Sequence, residues 1–287
     1  MKSNTTSSEK HKFLQRGKDI DPKVEIFYYI GALPRGRPPT VAIVGSRKPT
    51  PYGIEVTRRL AFDLSARGVV IVSGLALGVD GIAHQAALEA GGTTVAILAG
   101  GLDTIYPTRH TRLAADIVAA GGALLSEHPD GTPPMQFRFL ERNRIVSGLS
   151  DGVVVVEAAA RSGTLSTASW ALQQGRVVMA VPGNVTSPMS AGCNQLLKSG
   201  ASVVTQASDV LEAIGLQSAI SHTQSSIFEA ASAEEQALLA ELAAGERDGE
   251  LLQQKSGLSM VVYMQTMTML EITGKIRALG ANQWTLG

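Results

Sequence analysis

The chain has 287 residues, 44% of them hydrophobic, enough for a sizeable core in one or two domains. Its single cysteine, Cys193, excludes an internal disulfide framework and a cysteine-based metal cluster. Net charge is zero but unevenly placed: residues 1–224 carry 21 Lys and Arg against 17 Asp and Glu, residues 225–287 carry 4 against 8. The body is mildly basic and the tail acidic, so only the body suits an anionic ligand.

Residues 1 to about 20 are expected to be disordered, within an N-terminal extension reaching residue 40. Met1 to Lys18 is rich in Ser, Thr and Lys and lacks the apolar core of a signal peptide. No apolar run reaches the ~20 residues that cross a bilayer. A cytoplasmic location with no membrane contact is therefore expected. Val24 to Ile30 is strand-like, and Pro34 to Pro39 forms a loop before the first core strand.

Val41 to Val44 is a continuous apolar run, as in a strand buried on both faces, and it stops at Gly45-Ser46-Arg47. Tyr52 to Arg67 follows with helical spacing and Gly68 closes it. Further strands are expected at Val69–Val72, Thr94–Leu98, Ala123–Leu125, Val153–Val156, Val177–Val181 and Ser202–Val204. Helices are expected between them at Asp80–Ala90, His110–Ala120, Phe137–Leu149, Thr164–Gln174 and Gly192–Ser199, with Ser208–Gly215 closing the series. This alternation predicts an α/β, Rossmann-like doubly wound parallel sheet over residues 41–218. A Ser-, Ala- and Gln-rich linker at 219–232 leads to three helices and a short hairpin, a winged-helix-like domain at 233–287.

Neither a P-loop nor Gly-x-Gly-x-x-Gly is present, which lowers the expectation of ATP or NAD chemistry; no cofactor is expected. Small-residue turns recur after the strands: Gly45-Ser46, Ser73-Gly74, Gly100-Gly101, Ser162-Gly163-Thr164 and Pro182-Gly183. Each could serve geometry alone. Five along one rim favour a phosphate cradle, because small residues let backbone N–H groups approach an anion. Arg47 stands at the rim as a permanent cation. Arg142-Asn143-Arg144, preceded by Phe137, Arg138 and Phe139, is the densest basic and aromatic cluster. Helical spacing sets positions 142 and 144 roughly 200° apart, so the two cannot share a ligand closely.

Asp80, His84 and Glu157 could form an acid/base set, or could orient loops and neutralise arginines. The second is favoured, since no nucleophile or metal set accompanies them and His84 has no second ligand. Lys198 is either solvated or a phosphate contact. The last helix, Ser259 to Glu271, carries no Lys or Arg, so it suits core packing or a protein partner better than the major groove.

The body resembles the DprA (Smf) DNA-processing family. The residues that carry the likeness are Val41 to Arg47, Ser73 to Asp80 with Ala83-His84, Gly101-Leu102-Asp103 with Tyr106-Pro107, and Leu125-Ser126-Glu127. Arg142 to Ser150, Val156-Glu157-Ala158, Ser162 to Leu165, Val181-Pro182-Gly183 and Ser190 to Asn194 continue it in the family's order, over about Thr40 to Ser208. The tail resembles the family's variable C-terminal winged helix. The resemblance implies a non-enzymatic homodimer that binds incoming single-stranded DNA during natural transformation or recombination, protects it and loads the recombinase RecA. Carried over, Gly45, Ser46 and Arg47 hold phosphate, with Ser162, Gly163 and Thr164 at the same rim and Arg142, Asn143 and Arg144 shaping the pocket. Ser73, Gly74, Gly183, Asn194 and Lys198 are further expected DNA contacts.

His110 stands where the family has Asn and Leu140 where it has Pro; Arg109 supplies positive charge in the loop after Tyr106-Pro107. The alternative is a nucleotide hydrolase of the phosphoribohydrolase type. Pro182-Gly183-Asn184 departs from the Pro-Gly-Gly-x-Gly-Thr of those enzymes.

Overall fold

The computed structural model describes residues 3–216, 232–280 and 282–286. The chain divides into two compact units, Met1–Ser218 and Ala219–Gly287. The expected linker at 219–232 lies outside the described residues except for Ser232.

The first unit is built on one nine-stranded sheet. Its strands are β1 (Asn4–Thr6), β2 (Phe27–Gly31), β3 (Thr40–Val44), β4 (Val70–Ser73), β5 (Thr94–Ile97), β6 (Ala123–Ser126), β7 (Gly152–Val155), β8 (Val177–Ala180) and β9 (Ser202–Val203). Across the sheet they run β1-β2-β6-β5-β4-β3-β7-β8-β9. From β6 to β9 every pairing is parallel. The expected wholly parallel sheet needs correction at one edge, where β2 pairs antiparallel with β6 and β1 antiparallel with β2. β2 precedes the first strand–helix–strand crossover, so no crossover constrains its direction.

The helices are α1 (Pro51–Ala66), α2 (Val79–Glu89), α3 (Thr111–Ala119), α4 (Gln136–Gly148), α5 (Thr164–Gln173), α6 (Ala191–Lys198) and α7 (Ala207–Ala213). They cover both faces, which is why the strands read as unbroken apolar runs rather than alternating ones. Successive side chains of a strand enter opposite layers. Ala42, Val44, Val153 and Val155 pack in one core with Ile145, Val146 and Ala168. Val41, Ile43, Val154 and Val156 pack in the other with Val56, Leu60 and Ala83. The central strand β3 lies between β4 and β7, where the strand order reverses, and such a point opens a crevice at the carboxyl ends.

The N-terminal segment is ordered where disorder was expected. Residues Lys12–Asp19 form a 3-10 helix that buries Phe13 and Leu14 completely, and Ile20 beside it is 2% exposed. Arg16 and Arg37 both reach Asp151, at 2.8 and 3.2 Å, fastening this segment to the sheet. The polar average composition conceals three anchoring residues, and burying them offsets the entropy of ordering the strap.

The second unit holds α8 (Ala233–Ala243), α9 (Gly249–Ser256), α10 (Met260–Ile272) and an antiparallel pair, β10 (Ile276–Gly280) with β11 (Gln283–Leu286). Leu238, Leu242, Leu252, Tyr263, Met267 and Leu270 form its core. Ser232, Asp248 and Ser259 cap the three helices by accepting N–H bonds. Among the described residues no helix is long and apolar enough to cross a membrane.

Candidate nucleic-acid interface

The crown of the sheet is shaped first by backbone. A Cβ on Gly45 would stand 2.6 Å from Val79 Cγ2, so only glycine lets β3 leave the sheet against the start of α2. Gly78 adopts φ +78° and its α-carbon faces the Ser46 carbonyl, a second place where a side chain has no room. The Val79 N–H donates to that carbonyl at 3.1 Å, and Ser46 Oγ accepts from the Lys48 N–H at 3.0 Å. Thr164 Oγ1 donates to the Gly45 carbonyl at 2.9 Å, stitching the β3 loop to the N-terminus of α5.

Between these loops and α4 lies a cavity of about 860 Å³ whose walls include Gly45, Ser46, Arg47, Arg142, Asn143 and Ser162 to Thr164. Arg47 is exposed, and its guanidinium sits 5.4 Å from the centre of the Phe139 ring. Arg142 approaches the same ring at 5.9 Å, and Tyr106 tilts against it with ring centres 5.5 Å apart. Three arginines, Arg47, Arg142 and Arg161, line the cavity with one acid, Asp80. The start of α5 adds the partial positive charge of a helix N-terminus. An anion with flat apolar groups attached fits this combination of exposed cation, aromatic faces and small-residue turns.

Arg142 is a buried strut. One of its nitrogens donates to the Gly74 carbonyl at 2.7 Å and to the Ile97 carbonyl. Burial pushes its pKa down to about 10, which leaves it cationic at neutral pH. It faces Asp80, whose Oδ2 accepts the Gly74 N–H at 3.0 Å. Burial raises the Asp80 carboxyl, while Arg142 and the bound N–H groups oppose the rise. Gly74 is thereby clamped beneath the crown, and Ser73 donates to the Ile43 carbonyl at 2.7 Å in the fully buried layer. Neither is among the residues lining the cavity. Asn143 lines the cavity and donates to Ser166 Oγ at 2.9 Å.

The remaining expected contacts disperse. Arg144 points away from the cavity and holds Glu127 through two nitrogens at 2.6 and 3.0 Å, as its angle from Arg142 on the helix dictates. Asn194, on α6, and Gly183 bond each other. Lys198 is exposed at the far end of α6, about 12 Å along the helix from its start, and is not among the residues lining the cavity. Arg109 and His110 line a neighbouring groove, where His110 Nδ1 donates to the Leu75 carbonyl at 2.8 Å. Leu140, half exposed, lines the cavity. Arg161 and Met189 are walls that sequence reasoning missed; the only signal for Arg161 was its place just before Ser162-Gly163-Thr164.

Asp80, His84 and Glu157 do not converge on a common point. Glu157 accepts from the Thr50 N–H at 2.8 Å and the Thr50 hydroxyl at 2.5 Å, holding the start of α1. Thr94 Oγ1 donates to the Ile71 carbonyl at 2.7 Å, so it accepts from His84 Nδ1 at 2.6 Å. Among the described residues no three His, Cys, Asp or Glu side chains come together as a metal centre requires.

Burial, with help from His110 and Arg142, pushes His84 down to about 3. The unfolded chain therefore binds a proton that the folded chain refuses between pH 6.5 and 3, and stability falls as pH drops through that window. From pH 7 to 5 this histidine should remove about 2 kcal/mol of unfolding free energy. Urea titrations at the two pH values read the loss, and His84→Gln should lessen it.

The sequence matches the family model for DNA recombination-mediator protein A over residues 4–215, well over half of the chain. The chain belongs to the DNA recombination-mediator protein A family. Among its family relatives, Protein Smf of Escherichia coli is 52% identical over 172 residues, which are 60% of this chain and 46% of that protein. DNA processing protein DprA of Bacillus subtilis is 46% identical over 180 residues, 63% and 60% of the two chains. The chain thus spans about half to three fifths of these family members. Two solved structures share the family fold. DprA of Streptococcus pneumoniae superposes with a TM-score of 0.66 at 36% identity over 74% of each chain. DNA processing protein A of Helicobacter pylori, described for its single-stranded DNA binding mode, gives 0.64 at 32% identity over 74% of this chain and 97% of that one.

Proposed function

We propose that this chain binds single-stranded DNA along the sheet's carboxyl crown, without cutting it, and passes the strand to the recombinase RecA in natural transformation or recombination. The observation that carries this is Arg47: it is exposed at the end of the central strand, lines the cavity and lies against an aromatic ring. A guanidinium holds a phosphate while an adjacent ring face accepts an unstacked base, a pairing available to an unpaired strand and not to a closed duplex. Likeness to the H. pylori protein supports the choice of ligand.

In this proposal Gly45, Ser46, Ser162, Gly163 and Thr164 surround the phosphate and Asn143 stands at the wall, while Asp80, His84 and Glu157 hold the loops. The protein works in the cytoplasm as a homodimer and shields the strand. Its C-terminal unit is a winged helix that docks a protein rather than duplex DNA, supported by the absence of Lys and Arg from α10. Gel shifts with an oligothymidylate and a duplex of equal length test the ligand directly. Tighter binding of the single strand at moderate salt is expected; equal binding of the two would sink the proposal.

A further inference from the structure

Beside the crown cavity lies a second groove of about 880 Å³, floored by α2 and walled by α1 and α3. Two loops divide the pair, and each presents residues to both sides. Ala76 and Asp80 line the cavity while Gly78 and Gly81, from the same loop and first turn of α2, line the groove. Tyr106 lines the cavity while Arg109 and His110 line the groove. The two meet at Gly78, whose α-carbon packs on the Ser46–Arg47 backbone: a Cβ there would sit 2.7 Å from the Arg47 carbonyl carbon.

The groove's charges favour a polyanion near its crown end. Arg58 is committed to Glu89, at 2.9 and 3.2 Å. Arg112 is 93% exposed and lies 3.9 Å from Asp116, a distance that leaves it free to turn to another anion. Arg109 is exposed and unpaired among the described residues. Ile54, 44% exposed, and Leu113 offer apolar faces between these cations.

We infer that this groove is a second seat for the same unpaired strand, with Arg109 and Arg112 taking the phosphates that leave the cavity past Tyr106. The inference rests on the crown as strand-binding. It enlarges the footprint beyond one cavity and makes affinity depend on strand length.

The test compares oligothymidylates of about four and about twelve nucleotides on the full chain. Wild type should bind the longer one more tightly. The doubly substituted R109A/R112A protein should match wild type on the short oligomer and lose about tenfold on the long one. Its log–log salt slope on the long oligomer should fall by ~1.4, two phosphates at ~0.7 each. Asp116→Asn, which releases Arg112, should tighten the long oligomer alone. Equal loss on both lengths, no loss on either, or a wild type blind to length overturns the second seat. Arg47→Ala separates the two failures: if it weakens both oligomers while the double variant weakens neither, the groove is wrong and the crown stands. If Arg47→Ala weakens neither, the crown itself is wrong.

Discussion

Replacing Arg142 by alanine should lower the unfolding free energy by about 3–5 kcal/mol. The side chain is 4% exposed in its residue total, and its guanidinium binds two main-chain carbonyls and faces a buried carboxylate. Its removal strands the Asp80 charge in the interior and leaves the Gly74 and Ile97 carbonyls short of a donor, and each such loss is costly in a low-dielectric site. The damage comes chiefly from the orphaned acid, so Asp80→Asn added to Arg142→Ala should recover part of the loss. Urea unfolding of both single variants and the double variant reads this coupling. A variant as stable as wild type, or an Asp80→Asn effect that simply adds to the first, would contradict the assignment of Arg142 as a strut.

The parallel core was legible because burial on both faces leaves its mark in every strand: Val41 to Val44 and Val153 to Val156 have no polar position, and each divides its residues between two cores. The helices were legible for the complementary reason, a glycine or polar stop after each apolar spacing. The direction of β2 was hidden, since Phe27 to Gly31 would look the same in either orientation and only its neighbour β6 decides. Phe13 and Leu14 were hidden by the Ser, Thr and Lys around them; two fully buried side chains suffice to pin a segment whose average composition is polar.

The site divides in the same way. Helical spacing separated Arg142 from Arg144 but could not say which faced the cavity, because that depends on where Glu127 and the Gly74 carbonyl stand in three dimensions. For Lys198 a solvated role and a phosphate contact both stayed open in the sequence, and its place at the far end of α6, seven residues after Ala191, is set by the helix. Arg47 was placed by one rule alone, that the carboxyl end of a central strand faces the crevice.

Everything proposed for the crown requires that guanidinium to hold a phosphate. The decisive measurement is the affinity of wild type and Arg47→Ala for single-stranded oligomers of several sequences across a range of salt. Since Arg47 is exposed, the variant should fold as wild type does. Loss of about tenfold for every sequence, with a salt slope shallower by ~0.7, is the expected result. Unchanged affinity and slope, or a loss confined to particular bases, would contradict it.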